Sequence, residues 1–135
     1  MTDERTFTWP GKPRGQGRPR FVRATGMAYK APDDKDFERE LLLAYQARHG
    51  AKPPLAGPFA IDIVAIYPPP KRLARALPTV KPDLDNICKA VLDALSGKAY
   101  TDDKNNVTLE ARKVYGKEPG IRVTLREVEK EAEHG

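Results

Sequence analysis

The apolar positions change their period several times along the chain, and each change marks an element. Phe59 to Pro70, FAIDIVAIYPPP, is β-branched and closed by prolines, the strongest strand signal present. Ile121, Val123 and Leu125 alternate with Arg122, Thr124 and Arg126, the pattern of a half-buried antiparallel strand. Phe37, Leu41, Ala44, Tyr45 and Arg48 recur at helical spacing after Pro32-Asp33-Asp34, with Gly50 as the stop. Placed on a helix, Leu84 to Leu95 puts Leu84, Ile87, Cys88, Val91, Leu92 and Leu95 in one stripe. Asp85, Asn86, Lys89 and Asp93 fall on the other side, and Ser96-Gly97 ends the helix with a residue suited to a left-handed cap.

Weaker signals complete the order. Thr6 to Pro10 reads as a short first strand, and Phe21 to Ala24 with Met27 to Lys30 as a hairpin about Thr25-Gly26. Lys71 to Thr79 is a basic segment, helical or loose. Val107 to Tyr115 reads as a strand joined to Ile121 to Val128 through Gly116–Gly120. The expected order is β-ββ-α-β-α-ββ: an α+β fold, one mixed sheet with two main helices packed on one face.

Length and charge narrow the class. The 135 residues suit one domain spanning 1–135, of which about 129–135 is expected to be a frayed acidic tail. Lys plus Arg number 24 against 19 Asp plus Glu, a net charge of +5. REVEKEAEHG holds four of the Glu, so the body is more basic than the sum. That balance is compatible with a polyanionic partner. Cys88 is the only cysteine, which excludes an internal disulfide and a multi-cysteine zinc site. No apolar run approaches the roughly 20 residues of a membrane span, and MTDERTFTWPG lacks a signal-peptide profile, so a cytoplasmic protein is expected.

The candidate chemistry is concentrated in KPDLDNICKAVLDAL, Lys81 to Leu95. Asp83 and Asp85 would repel each other unless a cation or proton lies between them. On a regular helix they would diverge, but Pro82 favours extended geometry before the first turn, which allows both carboxylates to reach one spot. Simple capping of a helix N-terminus explains the same two residues, and Lys89 could merely pair with Asp85. Asp102 and Asp103 follow in AYTDDKNN, either a solvated turn or a second source of carboxylates. Lys12, Arg14, Arg18, Arg20 and Arg23 on one side, and Lys71, Arg72, Arg75 and Lys81 on the other, flank this motif; such runs are commonly solvated faces, and their placement on both sides of the motif makes them candidates for DNA phosphate contacts. Trp9, Phe21 and Tyr29 could stack on bases or serve as packing.

KPDLDNICKAVLDALSG followed by AYTDDKNNV resembles the signature of RusA-type Holliday-junction resolvases, a family of endodeoxyribonucleases. The similarity extends to WPGKPRGQGRPRF, IYPPPKR and KVYGKEPGIRVTL, the last matching the family's closing hairpin. The resemblance implies a magnesium site (Mn²⁺ as a substitute) from Asp83, Asp85 and Asp103, with Asp102 adjacent, and a functional lysine at Lys89. It implies four-way DNA junctions as substrate, a bacterial or phage origin and a C₂ homodimer, since two symmetric cuts need two sites. Asn105 stands where the family often has Gln, and Asn106 where an apolar residue is usual. Rival expectations are a metal-dependent nuclease acting on other branched or duplex DNA, and a non-catalytic junction-binding protein. His49 and His134 suit a hard, oxygen-preferring cation poorly, and nothing resembles a Ser-His-Asp triad.

Overall fold

A computed structural model describes residues 3–17, 20–21, 24–29, 32–71 and 77–128. Two helices cover one face of a four-stranded mixed sheet, the α+β arrangement expected from the sequence. In chain order the elements are β1 (Glu4–Pro10), β2 (Arg20–Phe21), β3 (Ala28–Tyr29), α1 (Pro32–His49), β4 (Phe59–Tyr67), α2 (Leu84–Leu95), β5 (Asn106–Tyr115) and β6 (Gly120–Glu127). The 129–135 tail lies outside the described residues.

The sheet order is β1-β6-β4-β5, with β2 and β3 forming a separate small ribbon. This corrects the expected closing hairpin. β5 and β6 do not pair; both pair with β4, β5 in parallel and β6 antiparallel. The reason lies in β4, which is apolar along nearly its whole length and buried on most positions of both faces. Such a strand belongs in the interior of a sheet and needs neighbours on both edges. The Gly116–Pro119 connection therefore crosses the end of β4, and Gly116 N–H donates to Tyr67 O at 2.9 Å on the way. The alternation in β6 is as expected: Ile121, Val123 and Leu125 face the core, Arg122 and Arg126 face solvent.

The core lies between sheet and helices. Phe37, Leu41 and Tyr45 of α1, with Ile87, Val91 and Leu95 of α2, meet Phe7, Phe59, Ile61, Ile63, Ile121 and Val123. Trp9 belongs here too: it packs edge-to-face on Phe37 at 5.0 Å and its indole N–H points to Glu40, which settles its role as packing. Arg5 is a buried cation, held by Asp3 at 2.8 Å, the Tyr45 hydroxyl and Pro53 O. The hydrogen bond from Arg5 holds the Asp3 carboxyl below its ordinary pKa despite partial burial.

Asn105 and Asn106 both use their side-chain amides in the structure. Asn105 Nδ2 donates to Thr101 Oγ1 and Ala56 O, tying the acidic turn to the segment before β4. Asn106 Nδ2 donates to Phe59 O at 3.2 Å, where the β4–β5 register shifts and the regular ladder is interrupted.

Leu95 is fully buried at the end of α2. Leu95→Ala removes that anchor and leaves a cavity, so denaturant unfolding should show a loss of about 2–5 kcal/mol with an unchanged denaturant slope.

Candidate functional site

α2 seats the chemistry. Its stripe is as predicted: Ile87, Cys88, Val91 and Leu95 are buried, with Leu84 and Leu92 half-buried at the margin. Asp85 and Lys89 are thereby forced outward, with Asn86 and Asp93 half-covered. Among the described residues Asp85 and Lys89 form no ion pair.

Asp83 occupies the N-cap position with extended backbone, φ −64° and ψ 145°, following a cis Lys81–Pro82 bond. The extended geometry expected just before the helix is thus present. Its carboxylate makes no capping hydrogen bond. A capping aspartate normally accepts from the N2 or N3 amide, so a capping hydrogen bond does not account for Asp83. Asp102 is the opposite case: it caps the 3₁₀ turn over Asp103–Asn105, its Oδ1 accepting from Lys104 N–H at 3.0 Å.

Asp103 lies on the wall of an open groove between α2 and β5. Leu84, Cys88, Leu92, Leu109 and Ala111 form the apolar floor, and Asp85, Lys89, Asp93 and Asp103 supply the polar groups. Tyr100, fully buried, donates its hydroxyl to Asp103 Oδ1 at 2.7 Å and also reaches Leu92 O. That contact sets Asp103 beside Leu92, two helical turns and about 10 Å of rise beyond Asp85. The return of the chain along α2 therefore brings Asp103 into the same groove as Asp85 without bringing the carboxylates to one point. Among the described residues, no group of three or more His, Cys, Asp or Glu is gathered to hold an ion. Asp83 lies outside the groove lining.

The donor chemistry still fits a hard divalent cation. Asp85 and Asp103 are exposed carboxylates facing one groove, and Mg²⁺ is commonly held by one or two carboxylates plus substrate phosphates rather than by a closed protein cage. Burial, then the Asp103 carboxylate, pushes the Tyr100 phenol well above its ordinary pKa, so it remains a proton donor. Burial and the nearby Asp85 charge also raise the Cys88 thiol, which keeps it un-ionised. His49 is occupied, its Nε2 lying 2.9 Å from Thr6 O.

The glycine-rich segment after β1 forms a strap across the seam of the two helices. Gln16 N–H donates to Asn86 O at 3.0 Å, and the Gln16 amide group donates to Asp93 Oδ2 at 2.9 Å and to Glu38. Gly17 N–H donates to Asp34. Arg14 is engaged with α1, its guanidinium 4.8 Å from the Phe37 ring centroid, 3.7 Å from Glu40 and donating to Asp33 O. Lys12, Lys71 and Lys81 are exposed. Arg20 stands in β2, while Arg18, Arg23, Arg72 and Arg75 lie outside the described residues, as do the side chains of Phe21 and Tyr29.

Sequence reasoning missed Tyr100 and Gln16. An aromatic residue between a glycine-ended helix and an acidic pair gives a faint signal for Tyr100. Gln16 gives none, since its partners are far away in the chain.

The family model for the endodeoxyribonuclease RusA matches residues 10–126. The chain is also similar to the uncharacterized protein YqaN of Bacillus subtilis (strain 168), 32% identical over 135 residues, covering 90% of this chain and 95% of that relative.

The strap passes close to the start of α2 because position 15 lacks a side chain: a Cβ on Gly15 would stand 3.0 Å from both Asn86 Cβ and Pro82 Cβ. Gly15→Ala should displace the strap at an expense of about 1–3 kcal/mol. Limited trypsin digestion should then cut after Arg14 about 5–150-fold faster, following the lowered opening free energy.

Proposed function

This chain belongs to the RusA endodeoxyribonuclease family, and we propose that it is a Mg²⁺-dependent, structure-selective endodeoxyribonuclease that resolves four-way DNA junctions by paired, symmetric nicks in recombination and repair. The observation that carries this reading is the groove along α2, where Asp85, Lys89 and Asp103 face the same space. The uncapped carboxylate of Asp83 at the head of the same helix adds to it.

Asp83, Asp85 and Asp103 are the carboxylates that would supply oxygen ligands, and because Asp103 rests two helical turns from Asp85, one shared ion would require the acidic turn or a neighbouring copy to bring a further carboxylate in. Asp102 fits least well, because its Oδ1 is already committed to the Lys104 amide. When bound, the divalent cation neutralises charge on the scissile phosphate and acidifies a water, and Mn²⁺ serves as a substitute. Lys89, one turn beyond Asp85 and free of it, offers an ammonium to the phosphate oxygens as negative charge builds in the transition state. Lys12, Arg14, Lys71 and Lys81, with Arg18, Arg20, Arg23, Arg72 and Arg75, hold the DNA backbone by phosphate contacts that fix position rather than sequence. Arg14 must leave its contacts on α1 to take full part, which makes Lys12 the better placed of the two.

Two strands of equivalent geometry must be cut to leave intact duplexes, and among the described residues one chain carries one such groove. A C₂ homodimer supplies the second, and a neighbouring copy is also the economical way to bring a further carboxylate toward Asp85. The reading places the protein with bacterial or phage DNA in the cytoplasm.

Incubation of the wild type with fixed and mobile four-way junctions, linear duplex and forked DNA should give Mg²⁺-dependent nicks, symmetric and confined to junctions. Equal cutting of forks or duplex would favour a broader nuclease, and no cutting a junction-binding protein. Asp85→Asn should reduce nicking to background while leaving junction binding intact by gel shift.

Lys89→Ala should bind junctions normally and cleave them about 10²–10³ times more slowly, the scale of losing one charge-stabilising donor. Equal loss of binding and cleavage would make Lys89 a docking residue instead.

A further inference from the structure

Tyr100 has one phenolic proton and two acceptors within reach, Leu92 O and Asp103 Oδ1. The two do not need it equally. Leu92 O already accepts the backbone N–H of Ser96 at 3.1 Å, so the helix end is satisfied without the phenol. Asp103 is exposed, and among the described residues Tyr100 is the donor to its carboxylate. The donor itself is rigidly mounted. Its ring is fully buried and stacks on Phe59 with centroids 4.3 Å apart and planes at 23°, and its carbonyl accepts Gly97 N–H at 2.8 Å.

We infer that Tyr100 is a positioning residue for the divalent cation: it holds Oδ1 of Asp103 and leaves Oδ2 as the ligand oxygen in a fixed orientation toward the groove. The inference rests on the metal-dependent nuclease reading. An exposed aspartate on a short turn would otherwise sample several rotamers, and binding an ion would have to select one. A hydrogen bond from a buried phenol removes that freedom beforehand. Partners that hydrogen-bond to ligating carboxylates typically change metal affinity by about 10–100-fold when removed.

Tyr100→Phe is a narrow test, because it keeps the stacked ring and deletes only the hydroxyl. Mn²⁺ affinity, measured by electron paramagnetic resonance of the free ion without DNA, should fall about 10–100-fold relative to wild type. Far-UV circular dichroism should be unchanged. An affinity within about twofold of wild type overturns the inference, since the scale expected of a ligand-orienting partner is larger. A wild type that binds no Mn²⁺ at millimolar concentration overturns the metal-dependent reading itself, and the inference with it. Should Tyr100→Phe fail to fold, the wild type decides: one equivalent of Mn²⁺ must broaden the Tyr100 ring signals in NMR spectra, and sharp signals overturn the proposal.

Discussion

The seating of α2 on the central strands governs this molecule. Ile87, Val91 and Leu95 are fully buried against the sheet, and burial of each such side chain is worth about 1.5–3 kcal/mol relative to exposure. A helix fixed by that stripe has one permitted rotation, and the rotation decides where its polar groups go. Asp85 and Lys89 must face outward along the groove beside β5. The same seat fixes both helix ends: Asp83 enters at one, and the chain leaves the other toward Tyr100 and the acidic turn.

Four aspartates around this helix have different employments, although their side chains are identical. Asp102 is consumed by its turn, Asp103 is held by a buried phenol, Asp83 sits at a cap position without a capping hydrogen bond, and Asp85 projects from the first turn. What separates them is the supply of local donors. A carboxylate whose hydrogen-bonding capacity is used by the backbone stabilises the fold, whereas one left facing solvent keeps acceptor oxygens open to another ligand.

The strap joins the basic N-terminal segment to the same unit. Gln16 bridges Glu38 of α1 and Asp93 of α2, and Gly15 permits contact with Pro82 and Asn86 at the start of α2. Arg14 is similarly engaged. Its guanidinium lies over Phe37 and beside Glu40, so positive charge in sequence is partly internal packing in space.

The sequence by itself determined the elements and the residues with chemical potential, because both follow from local rules. Period set α1, α2, β4 and β6; Pro82 set the extended entry to α2; the acidic pairs and Lys89 were visible in the motif. Only the tertiary structure decided that β4 separates β5 from β6, since pairing partners depend on which strand must be buried on both sides and the turn residues between β5 and β6 would suit a hairpin as well. The tertiary structure also decided that Asp103 comes to rest near Leu92, two turns from Asp85, and that Tyr100 and Gln16 have site-related contacts. These are relations between residues distant in the chain, fixed by packing, and no periodicity or spacing in one dimension encodes them.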